Sequence, residues 1–68
     1  MRLIVTIEKQ NDNTFIAYNT NVNGLSLIGT GRTIDEAKED FYNTMNEVAQ
    51  TYKKNEIPEC LRIAPMFK

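Results

Sequence analysis

The stretch Leu25-Ser26-Leu27-Ile28-Gly29-Thr30-Gly31-Arg32-Thr33-Ile34-Asp35-Glu36-Ala37 decides how this chain folds. An alternating apolar segment gives way to two glycines and then to a helix start. Thr33 followed three positions later by Glu36 is a capping box, in which the threonine oxygen accepts from the free Glu36 amide and the glutamate reaches back to the Thr33 amide. Asp35 and Glu36 also set negative charge against the positive end of the helix dipole. Gly29 and Gly31 predict a backbone that bends, bulges or takes positive φ just before the helix leaves the sheet.

Downstream, the apolar period changes from two to between three and four. Ile34, Ala37, Phe41, Met45, Val48, Ala49 and Tyr52 fall on one stripe, with Asp35, Glu39, Asp40, Asn43, Asn46, Glu47 and Gln50 opposite. Lys53 and Lys54 suit a last turn, Asn55 a left-handed cap, and Pro58 forbids continuation. A helix over residues 34–54 is predicted. It spans about 31 Å against about 23 Å for a seven-residue strand, so it should overhang the sheet and leave Tyr52 needing cover.

Upstream, residues 2–9 alternate as a first strand, with Leu3, Val5 and Ile7 on one face and Ile4, Thr6 and Glu8 on the other. Gln10-Asn11-Asp12-Asn13 reads as a turn. Residues 14–19 return antiparallel, and Asn23-Gly24 is a hairpin signal that fits either a two-residue turn or a longer loop from Asn19. Residues 25–31 complete a meander. Beyond the helix, Leu61 and Ile63 alternate with Cys60, Arg62 and Ala64 between Pro58 and Pro65, which predicts a short edge strand. A right-handed crossover then sets that strand parallel to the first. The expected fold is α+β, β-β-β-α-β: an antiparallel three-strand meander with a fourth, parallel edge strand, order 3-2-1-4, and one helix packed on one face.

If Leu3, Val5, Ile7, Phe15, Ala17 and Leu27 pack on the helix, then Ile4, Ile16, Tyr18 and Ile28 project from the other face. That face is a candidate contact surface, although scattered exposed apolar residues are also normal. Together with Tyr52, Leu61 and Ile63, these residues are the candidates for self-association. A chain of 68 residues buries only roughly 60% of its unfolded surface and profits from association.

One domain over residues 1–68 is expected, with no C-terminal DNA-binding domain. No apolar run approaches the roughly 20 residues that span a bilayer. A single cysteine and the absence of an Asn-x-Ser/Thr sequon suit a cytoplasmic protein. Net charge is −1 and the eight basic residues are scattered, which argues against direct nucleic-acid binding. A basic protein partner is easier to accommodate.

Catalytic constellations are scarce. Histidine is absent, which removes the commonest general base and metal ligand. Ser26 lies inside a predicted strand without a Gly-x-Ser-x-Gly setting. Cys60 would react only if a cation such as Arg62, on the same strand face, lowered its pKa; a packed, inert thiol is the simpler reading. Gly29-Thr30-Gly31 lacks both the dinucleotide fingerprint and a phosphate-loop lysine. No catalytic residue, metal or cofactor is expected. Asp35, Glu36, Glu39 and Asp40 are the only charge concentration, either a solvated, dipole-matched face or a contact for a basic partner.

The element order, with Gly24 in the second connection and Gly31, Thr33, Glu36 and Ala37 opening the helix, resembles the N-terminal domain of HicB-type antitoxins, a partial ribonuclease H-like fold. The family pattern has a Pro-Gly-Cys-like turn followed by Gly-Asp-Thr-x-x-Glu-Ala; Asn23, Leu25 and Arg32 stand where Pro, Cys and Asp are common. The resemblance covers almost the whole chain. It implies an oligomeric antitoxin that sterically masks HicA, a small basic messenger-RNA-cleaving toxin. Two alternatives stand beside it: a metal-dependent nuclease on a reduced ribonuclease H-like sheet, and an orphan binding domain with another partner.

Overall fold

A computed structural model describes residues 2–10, 12–22 and 24–68. Its elements run β1 (Ile4–Lys9), β2 (Phe15–Asn19), β3 (Ile28–Gly31), α1 (Ile34–Ala49), a 3-10 turn (Glu59–Leu61) and β4 (Met66–Phe67). They form one four-stranded sheet in the order β3-β2-β1-β4, with β1 parallel to β4 and the other pairs antiparallel. This is the predicted α+β topology.

Strand alternation sorts the side chains as expected. Leu3, Val5, Ala17 and Leu27 are buried with Ala37, Phe41 and Met45 of the helix, and Ile7 and Phe15 pack at the border of that core. Thr33 is extended and its hydroxyl accepts the Glu36 amide at 3.1 Å, so the threonine half of the cap is formed. The Glu36 carboxylate makes no return bond among the described residues.

Several expectations need correction. Gly29 and Gly31 neither bulge nor take positive φ; that conformation belongs to Gly24 (φ 81°) and Asn13 (φ 65°). The two glycines are regular strand residues over which the helix lies. A Cβ on Gly29 would sit 2.7 Å from the Ala37 carbonyl oxygen, and one on Gly31 would sit 2.6 Å from the Ala37 nitrogen. Their smallness sets the closeness of helix and sheet.

The helix ends at Ala49, five residues short of the predicted Lys54, with no basic residue in its last turn. Thr51 explains the stop. Its hydroxyl and its amide both donate to the Val48 carbonyl, at 2.6 and 3.0 Å, and Tyr52 turns back to Ala49. The carbonyl that would accept the Tyr52 amide in a longer helix is thereby diverted. Tyr52 lies beyond the helix and is exposed.

The third strand starts at Ile28, not Leu25, because Asn19 bonds the intervening backbone with its side chain. Its amide donates to the Leu25 carbonyl at 2.6 Å and its oxygen accepts the Leu27 amide at 2.8 Å. β2 and β3 are therefore joined by a longer connection, and the expected Asn23-Gly24 turn rests on Asn23, which, like Met1 and Asn11, lies outside the described residues.

The fourth strand is also displaced. Residues 59–61 form a 3-10 turn that buries Cys60, and the strand follows Pro65 instead of preceding it. A four-residue alternation does not separate a strand from a single helical turn. Leu61 packs against the core and Ile63 is exposed away from the strands. Neither Leu61 nor Ile63 is a sheet-face residue as expected.

Candidate interaction surfaces

Three surfaces emerge from this arrangement. The first is the sheet face away from the helix. Registers Tyr18↔Ile28, Thr6↔Tyr18, Glu8↔Ile16 and Ile4↔Met66 place Ile4, Ile16, Tyr18, Ile28 and Met66 together there. Ile28 is 55% and Met66 41% exposed. Four of these are expected contact residues; Met66 joins them because β4 begins after Pro65. The Tyr18 hydroxyl donates to Glu8 Oε1 at 2.8 Å, and that bond to a carboxylate raises the Tyr18 pKa above its ordinary 10.0. Tyr52, Leu61 and Ile63 belong to other parts of the surface.

The second is the helix start. Asp35, Glu36 and Glu39 are exposed. Asp40 is engaged inside the fold: its Oδ2 accepts the Thr30 amide at 2.8 Å, while Thr44, one turn on, donates to the Ile28 carbonyl at 3.2 Å. Two outward-facing backbone groups of the β3 edge are thus satisfied by helix side chains, a device that blunts an edge against strand addition. The acidic cluster is three exposed acids plus one that joins helix to sheet.

Sequence reading missed the third surface. Because the glycines of β3 draw α1 over β3 and β2, the helix-side face of β1 and β4 is less covered. There a groove of about 480 Å³ has the half-buried Ile7, Phe15 and Phe67 as its apolar floor, the exposed Ile34 at its edge, and Lys9, Lys38 and Lys68 around it. Phe67 meets Phe41 and Tyr42 edge to face at 6.0 and 5.7 Å, and the Lys38 ammonium lies 5.3 Å from the Phe67 ring centre. The signal was available as Lys9, Lys38 and Lys68. Their convergence depends on where β4 pairs.

Cys60 is buried in the core, not on a strand face shared with Arg62. Among the described residues no group of three or more His, Cys, Asp or Glu is placed to hold a metal ion, and no helix is long and apolar enough to cross a membrane. No family model, curated protein or solved structure matches the chain.

Proposed function

We propose that this chain is a non-enzymatic protein-binding module, antitoxin-like in the manner of the HicB-type domains it resembles, which masks a small basic messenger-RNA-cleaving toxin. The observation that carries the reading is the uncovered apolar sheet face on a 3-2-1-4 sheet whose other face is packed by α1. Burying such a face is favourable by about 25 cal/mol per Å² of apolar surface, and a chain this short gains most from it. In this reading a second copy covers the sheet face. The exposed Asp35, Glu36 and Glu39 meet the basic partner, where complementary charge speeds encounter and selects the partner. Masking is then steric and needs no reacting group.

The test is co-expression with the product of the adjacent open reading frame. The expected result is a co-purifying complex with a small basic protein whose RNA cleavage is suppressed, and weaker association for Asp35→Lys/Glu39→Lys. A monomeric protein that leaves a basic neighbour's RNase activity untouched overturns the reading.

A further inference from the structure

The lysine-rimmed groove is not used by the proposed masking of a basic protein, and its charge is of the wrong sign for one. We propose that it docks an acidic, extended segment of a second partner protein, seating one large apolar side chain on the floor and pairing the segment's carboxylates with the rim. A volume of about 480 Å³ falls within the roughly 300–1,000 Å³ of ligand pockets. The lysines come from the end of β1, from α1 and from the residue after β4, so positive charge surrounds the floor. None of them forms an ion pair among the described residues. Lys9 and Lys68 are exposed, and their stems can cover apolar surface while their ammonium groups stay hydrated; the Lys38 ammonium rests over the Phe67 ring, where it is held beside the apolar seat.

The chain is net negative, yet no acidic residue lines this groove; Glu8 is bound to Tyr18 on the opposite sheet face, and Asp40 to the β3 edge. Charge complementarity therefore selects an acidic occupant here. Three cations around one apolar seat match a multiply charged peptide better than an amphiphile with a single head group.

The backbone beside the groove adds a second attachment. The Met66 and Lys68 amides donate to Leu3 and Val5 carbonyls at 2.8 and 2.9 Å. By strand alternation the Phe67 amide and carbonyl point away from β1, where an added strand pairs. The other edge, β3, is the one Asp40 and Thr44 occupy.

The test titrates the isotope-labelled full chain with three synthetic peptides, Glu-Asp-Phe-Asp-Glu, Lys-Lys-Phe-Lys-Lys and Glu-Asp-Ala-Asp-Glu, and with sodium decanoate, following amide NMR shifts. Saturable shifts at Ile7, Phe15, Lys38 and Phe67 are expected with the first peptide, weakened about tenfold or more by either peptide change, by Lys9→Gln/Lys38→Gln or by high salt. Asp35→Lys/Glu39→Lys, which tests the masking surface, should retain this binding. Equal binding of the basic peptide, shifts away from the groove, salt-independent binding, decanoate binding without peptide binding, or no shift at millimolar peptide each overturns the proposal. Salt dependence is read on the unsubstituted protein, so the outcome does not rest on the lysine variants folding.

Discussion

Gly29 shows how one missing methyl governs the molecule. A side chain there meets helix backbone, the Ala37 carbonyl and the Phe41 main chain, which have no rotamer by which to yield. Gly29→Ala should therefore cost about 1–3 kcal/mol as an overpacking change, read as a lower urea midpoint. That is a large share of the roughly 3–10 kcal/mol expected for a domain of this length. Gly24→Ala makes the contrast, since nothing lies within 4 Å of the added Cβ and only the positive φ resists it; a loss of about 1 kcal/mol is expected. Tyr18 supplies a pH prediction. Its folded pKa is raised above 10.0 by the bond to Glu8, so that bond's contribution is fully present below pH 10 and is lost as pH climbs through the higher folded value. The Tyr18 ring shifts should titrate above the value of an unfolded control, and Glu8→Ala should bring the midpoint down toward it.

At the scale of elements, side chains substitute for backbone at two boundaries. Asn21 accepts the Ile4 amide at 2.8 Å and donates to the Arg2 carbonyl at 2.7 Å, so it pairs with the start of β1 like a further residue of strand. Asn21→Ala is expected to destabilise by about 1–2 kcal/mol and to speed hydrogen exchange at Ile4 selectively. Thr51 ends the helix by taking the Val48 carbonyl. Thr51→Ala frees that acceptor and adds a better helix former. Carbon chemical shifts at residues 50–54 should then move toward helical values, recovering part of the length that periodicity predicts.

For the whole molecule, the decisive feature is that one helix covers one side of a four-stranded sheet and sits off-centre on it. Ile4, Ile16, Tyr18, Ile28 and Met66 remain on the open side. If a second copy covers them, Ile28→Lys should leave the fold intact, because Ile28 is already 55% exposed, while shifting sedimentation toward monomer. Unchanged sedimentation would remove the sheet face as the self-association surface. The off-centre helix also leaves the lysine-rimmed groove, so the open apolar face and the charged groove arise from the same packing.

The residues alone determined the strand alternation, the Thr33 cap, the inward-facing set and, through chain connectivity, the 3-2-1-4 order, because each follows from local period and handedness. They also marked Ile4, Ile16, Tyr18 and Ile28 as one face. Only the tertiary structure decided that residues 66–67 and not the alternating residues 60–64 become β4, since what chooses is whether the amides of residues 66 and 68 can reach the carbonyls of Leu3 and Val5. It decided that Asp40 joins helix to edge strand instead of facing water. It decided, too, that the side chains of Asn19 and Asn21 bond like strand backbone, at the start of a connection that the sequence left open between a tight turn and a longer loop. The groove belongs to the same class: Lys9, Lys38 and Lys68 follow one another at intervals of 29 and 30 positions along the chain, and no local period brings them together.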